Sequence, residues 1–122
     1  MSNYTYAFEK LGVWQLNRAF TKKLYINTKA FPKEELFGIT SQIRRATISI
    51  SCNLAEGSAR KSPKDQKRFY EIAYSSAAEV VNLLVLCCDL EFLSEEIYQD
   101  LRNDLEKITW QINKLVEGIK QE

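Results

Sequence analysis

The densest cluster of like charges in this sequence, Arg60, Lys61, Lys64, Lys67 and Arg68, is the group best suited to act on a partner. Cations gathered in this way can contact successive phosphates, because each contact releases condensed counterions and makes binding salt-dependent. Locally only Glu56 and Asp65 oppose them, and Phe69 and Tyr70 follow directly. A solvated charge run at a helix start is the plain alternative. It leaves unexplained why basic residues stand in a first helical turn, where they oppose the helix dipole at a cost of roughly a few tenths of a kcal/mol. Arg44 and Arg45, the only charges between Gly38 and Ala55, complete the candidate nucleic-acid-binding set.

Other chemistry finds little support. The chain has no histidine, which removes Ser-His-Asp and Cys-His nucleophile systems, histidine metal sites and imidazole bases. Its glycines, Gly12, Gly38, Gly57 and Gly118, stand apart, so no phosphate-cradling loop can form from them. Paired carboxylates of the di-iron type need Glu and Glu-x-x-His on facing core positions, whereas Glu56 and Glu79 are the only acids inside the apolar runs. Glu56 reads as half of a structural ion pair with Arg44, Arg45, Arg60 or neighbouring backbone. Arg45 shares its helical face but lies about three turns away, so those two can meet only across helices or subunits. Cys52, Cys87 and Cys88 form an odd set without CxxC spacing and read as free thiols in a reducing cytosol. We therefore expect no catalytic residue, no metal, no cofactor and no enzymatic activity.

The elements that would carry these residues are helical. Four segments repeat their apolar positions with a period near 3.6, and none alternates as a strand does, so the fold expected is an all-α, antiparallel up-down-up-down four-helix bundle over a single domain. The expected helices are 11–31, 35–57, 63–91 and 95–120. Their stripes are Trp14, Asn17, Thr21, Leu24, Thr28 and Phe31; Ile39, Ile43, Ala46, Ile50, Leu54 and Gly57; Phe69, Ala73, Ser76, Val80, Leu83, Cys87 and Leu90; and Ile97, Leu101, Leu105, Ile108, Ile112, Leu115 and Ile119. Pro32 stops the first helix, and Gly57 reads as a left-handed terminator of the second. Ser62 with Pro63 and Asp65 begins the third, and Ser94 ahead of Glu95 and Glu96 begins the fourth. The first seven or so residues read as frayed.

Composition bounds the partners. Residues 1–68 carry 13 basic and 5 acidic side chains, a net +8, and residues 69–122 carry 4 and 11, a net −7. The halves either neutralise each other or leave a basic surface for an acidic partner. No secretory leader pattern opens the chain, and the apolar run from Ile72 to Cys88 is shorter than the ~20 residues a bilayer needs, so a cytoplasmic protein without membrane contact is expected. The outer face of the second helix (Arg45, Ser49, Cys52, Glu56) and the small residues Ser75 to Ala78 of the third solvate poorly, as do Leu16, Phe20, Tyr25 and Ile26 of the first. Either helices 2 and 3 sit centrally in a squat bundle or the chain assembles as a homo-oligomer.

Several motifs together resemble the family of 23S ribosomal RNA intervening-sequence proteins. They are Phe8-Glu9-Lys10-Leu11 with Val13-Trp14-Gln15, Phe31-Pro32, Thr40-Ser41-Gln42-Ile43-Arg44-Arg45-Ala46, Ser49-Ile50, Asn53, Ala55-Glu56-Gly57 and Arg60-Lys61-Ser62. The resemblance implies a compact bundle assembling as a ring, with a pentamer the expected form, and no established enzymatic activity. It also implies relatedness to the accessory proteins of diversity-generating retroelements, which makes RNA, DNA, a reverse transcriptase or another protein the candidate partners. Asn17 and Cys52 depart from the family pattern, which tends to a small apolar residue and to proline at those places. The leading expectation is a non-enzymatic oligomeric module binding nucleic acid, or a protein–nucleic acid complex, through its basic turn. The alternative is a protein-only scaffold that uses this turn between subunits.

Overall fold

The computed structural model describes residues 3–119. A short 3-10 helix, Ala7–Lys10, precedes α1 (Gly12–Thr28), and a second, Lys33–Glu35, precedes α2 (Ile39–Ala59); α3 (Pro63–Asp89) and α4 (Glu95–Glu117) complete the chain, with no strand among the described residues. Pairs of contacts fix the topology. Asn17 reaches Thr47 and Ser51 while Thr28 reaches Arg44, so α1 and α2 run antiparallel. Ser49 meets Ser76 and Gly57 meets Tyr70, which sets α2 against α3 in the same sense. Lys23 bridges to Asp100 and Asp104, and Gly12 faces Gln111, which closes α4 back onto α1. Sequence neighbours thus pack on one another, as short connections require, and the first and last helices meet to close the bundle.

Two of the helix starts follow from their sequence. The Asp65 amide donates to the Ser62 hydroxyl at 3.0 Å with Pro63 opening α3, and the Ile97 amide donates to Ser94 at 3.2 Å. Each bond satisfies one amide that the first turn leaves without a helical partner. The ends differ from expectation. Helix α1 stops at Thr28, yet Phe31 beyond it remains buried at 7% exposure and packs tilted against Phe92, with ring centroids 5.5 Å apart. Helix α2 starts only at Ile39, after a turn capped by Gly38, and runs through Gly57 to Ala59. Gly57 is not a left-handed terminator, since no glycine has positive φ among the described residues. The one left-handed residue there is Glu91 (φ 64°), in the α3–α4 turn. The turn closes as the Glu91 and Phe92 amides donate to the Cys88 and Cys87 carbonyls. Helix α4 ends at Glu117, and its expected last residue, 120, lies outside the described residues. Residues 1 and 2 of the stretch expected to fray also lie outside them, and Tyr4 and Tyr6 make ring contacts.

The core holds Ile43, Ile50 and Leu54 of α2, Val80 and Leu84 of α3, and Leu101, Leu105, Ile108 and Ile112 of α4, all fully buried. Burying one such side chain contributes about 1.5–3 kcal/mol, so these aliphatic stripes are the main source of stability. The α1 stripe is rotated from the expected one: Val13 and Phe20 are buried, while Trp14 and Thr21 lie half-buried beside them. Both rotations share Asn17, Leu24 and Thr28, and tertiary packing selects the one that inserts the Phe20 ring. Trp14 instead packs under Phe8 of the first 3-10 helix, 4.9 Å between centroids. In α3 the buried set includes Tyr70, Ala77 and Leu84, while Leu90 is exposed.

Helix α3, at 27 residues, is long and apolar enough to cross a bilayer, more than the run Ile72 to Cys88 suggested. It lies between α2 and α4, and eight of its residues are buried.

Candidate nucleic-acid interface

The five cations of the basic turn gather at one end of the bundle, where α2 ends and α3 begins. Arg60 ends α2, its amide bonded to the Gly57 carbonyl at 3.2 Å, and its own carbonyl accepts from the Gln66 side chain at 3.1 Å. That pair of bonds fixes the hairpin without using a basic side chain. Arg60, Lys61, Lys64 and Arg68 are exposed, and Lys67 is half-buried. The guanidinium carbons of Arg60 and Arg68 lie 4.6 and 4.7 Å from the centroid of the Phe69 ring. Stacking on an aromatic face holds a guanidinium in place while leaving its outward N–H groups to donate.

Glu56 forms its ion pair with Arg60, at 3.4 Å between Oε2 and Nη2, one of the partners its sequence position allowed. Both side chains are solvated, so the pair contributes at most about 1 kcal/mol. Arg44 and Arg45 belong elsewhere. They stand about 20 Å from the turn along α2, at 1.5 Å per residue, and face different ways. Arg44 donates through Nε to the Thr28 hydroxyl at 2.9 Å and lies 4.5 Å from the Tyr25 ring centroid. It sits against the C-terminal end of α1, where the helix dipole favours a cation. Arg45 is exposed on the outer face with Ile48, Cys52 and Glu56. The candidate set therefore divides into one five-residue cluster and two separate arginines.

The thiols are free: Cys52 is exposed, Cys87 buried and Cys88 half-buried. Burial pushes Cys87 up to about 11, with the Glu35 carboxylate adding to the shift. Cys88 is raised as well, by desolvation and then by Glu95, whose Oε2 accepts from Sγ at 3.3 Å. Neither is poised as a nucleophile, because the thiolate is the reactive form. Among the described residues no group of three or more His, Cys, Asp or Glu side chains could hold a metal ion.

Comparison with known families places this architecture. The model of the family described as 23S rRNA-intervening sequence protein matches residues 9–114, from the first 3-10 helix to the last turns of α4. The chain belongs to that family. No curated protein matches it. The chain is also similar to a crystal structure of a protein with unknown function from the S23 ribosomal protein family of Bacteroides thetaiotaomicron VPI-5482. It superposes with a TM-score of 0.79 at 23% identity, over 86% of this chain and 98% of that chain. At that identity the likeness establishes a shared fold.

Sequence reasoning missed the two arginines over Phe69 and the rings of Tyr4, Tyr6 and Phe8 beside Trp14. Arg60 and Phe69 are nine positions apart across a turn, so only the closed hairpin brings them together. The recurrence of aromatic residues at positions 4, 6, 8 and 14 was the signal in the sequence, but their approach depends on the 3-10 helix Ala7–Lys10 that turns Phe8 onto Trp14.

Proposed function

We propose that this protein is a non-enzymatic, cytoplasmic bundle that binds nucleic acid through the turn between α2 and α3. The observation carrying this reading is the pair Arg60 and Arg68, both held over the Phe69 ring, with the exposed Lys61 and Lys64 and the half-buried Lys67 beside them. Lys64, Lys67 and Arg68 lie in the first turns of α3, where cations oppose the helix dipole; a purely structural turn has no need of them there, whereas a phosphate backbone does. Arg44 is held by Thr28 and Tyr25, and Arg45 stands apart on the outer face of α2, so the turn holds the cluster of five cations. The same surface suits a protein that already carries RNA, such as a reverse transcriptase.

Replacing Arg60, Lys61, Lys64, Lys67 and Arg68 with Glu is expected to abolish retention of RNA at low salt. The same change at the exposed lysines Lys22, Lys29 and Lys33, in the second half of α1 and the segment after it, should leave it intact. For single strands the slope of log affinity against log salt should be about −0.7 for each phosphate contacted. Wild-type protein with no salt-sensitive RNA binding would refute the proposal.

A second reading concerns assembly, and the outer face of α2 and α3 favours it. Ile48, Ile72 and Leu86 are 43%, 40% and 42% exposed there, close to Cys52 and the small residues Ser75 and Ala78. The chain exposes 7959 Å², against about 6,800 Å² for a typical monomer of this mass. We read this face as a homo-oligomer interface, five copies being the number the family resemblance implies. Light scattering at micromolar concentration tests it, and a clean monomer mass refutes it.

A further inference from the structure

We infer that the nucleic acid taken by the basic turn is single-stranded, with bases stacking on an aromatic ladder formed by Tyr4 and Tyr6; the inference rests on the nucleic-acid reading above. The ladder begins in the core and ends in solvent. Trp14, packed against the core, meets Phe8 edge-on at 4.9 Å; Phe8 stacks with Tyr6 at 6.1 Å and 22° between planes; Tyr6 meets Tyr4 at 4.9 Å. Tyr4 and Tyr6 are 71% and 60% exposed, so the outer half of the ladder presents ring surface to solvent. The inner half fixes it. The Glu9 carboxylate accepts from the Tyr6 amide at 2.9 Å, and the Gln15 side chain donates to the Glu9 carbonyl at 2.9 Å.

The ladder and the basic turn share one end of the bundle. Asn17 stands level with Thr47 and Ser51, so the chain before it runs toward the C-terminal end of α2, and the 3-10 helix Ala7–Lys10 packs on α2. Cations continue along this side: Lys10 is exposed, and Arg18 lies 5.6 Å from the Trp14 ring centroid. Rings that offer stacking surface beside a cationic track are the arrangement by which proteins hold single strands. A duplex hides its base faces within the stack and could use only the cations. Tyr4 and Tyr6 pack on each other and on Phe8 yet keep most of their ring surface in solvent, beside the exposed Lys10.

The test compares fluorescein-labelled oligouridine with a duplex RNA of equal length by anisotropy at low salt. The single strand is expected to bind about tenfold or more tightly, and Y4A/Y6A should weaken it by about tenfold or more without changing the salt slope. Y4F/Y6F keeps the rings and should bind as wild type does, and an unchanged melting temperature of Y4A/Y6A excludes misfolding. Equal affinity for duplex and single strand, or unaltered binding by Y4A/Y6A, would overturn the inference while the charge-reversal result still supports the turn. Absence of any salt-sensitive binding by the wild type overturns both.

Discussion

The ring of Tyr70 fills the space that a side chain at Gly57 would need. An ideal Cβ on Gly57 would lie 2.5 Å from Cε1 and 2.8 Å from Cδ1 of that ring, and 3.2 Å from the Phe69 Cβ. Glycine within a helix ordinarily costs about 0.5–1 kcal/mol relative to alanine. Here the cost permits a close crossing of α2 and α3 directly beneath the basic turn. Because Tyr70 is buried and cannot swing away, Gly57→Ala is expected to destabilise the fold by about 1–3 kcal/mol despite its better helix propensity. A urea melt checks this, and a stabilised variant would contradict the packing described.

Asn17 is fully buried, and its Nδ2 donates to the Thr47 carbonyl at 3.1 Å and to the Ser51 hydroxyl at 2.7 Å. Its Oδ1 is buried with no hydrogen-bond partner. Asn17→Ala removes both bonds and leaves a void, for an expected loss of about 1–3 kcal/mol. Asn17→Leu keeps the volume and removes the unsatisfied oxygen, so it should cost less than the alanine variant. Equilibrium unfolding of the two side by side decides it.

Lys23 lies 2.6 Å from Asp100 and 2.9 Å from Asp104, which tie α1 to α4. Hydrogen bonds to Asp100 and Asp104 raise its pKa above the ordinary 10.5, outweighing a small desolvation effect. A folded-state pKa above the unfolded one means that the contribution is complete below about pH 10.5 and is lost as pH rises through the higher folded value. The groups are partly solvated, so screening limits the contribution to about 1 kcal/mol or less. The stability gap between wild type and Lys23→Met should therefore be constant from neutral pH to about 10 and close above it, and salt should narrow it. A gap that widens with pH would count against the bridge.

Thiol labelling should resolve three environments. Cys52 is exposed, Cys88 half-buried beside Glu95, and Cys87 buried with its thiol at about 11. A disulfide-exchange reagent at mildly alkaline pH is expected to modify Cys52 first, Cys88 slowly and Cys87 only on unfolding. Protection of Cys52 that disappears on dilution would locate the subunit interface on the outer face of α2. Rapid modification of Cys87 in the native state would contradict its burial.

Much of the fold was legible before any coordinates. Ser62 with Pro63, and Ser94 with its two glutamates, mark helix starts through local chemistry, and the structure forms both caps. Most of the stripes of α2 and α4 was readable because isoleucine and leucine recur at helical spacing with little competition; at the start of α4 the expected Ile97 is exposed and Tyr98 is buried instead. The stripe of α1 was not, since Trp14, Phe20 and Thr21 allow two rotations differing by a fraction of a turn. The basic cluster was visible as composition, but its partition was not: Arg44 and Arg45 are adjacent in sequence and point to different surroundings.

The sequence alone determined four helices, their order and the end at which the positive charge collects, because these follow from periodicity, capping and short connections between neighbours. Only the tertiary structure decided that Gly57 is a crossing point, that Arg44 is held by Thr28 and Tyr25, and that Arg60 and Arg68 share the Phe69 ring. Each of these depends on how two helices are rotated against one another. That rotation is set by the fit of many side chains at once, and no local pattern encodes it.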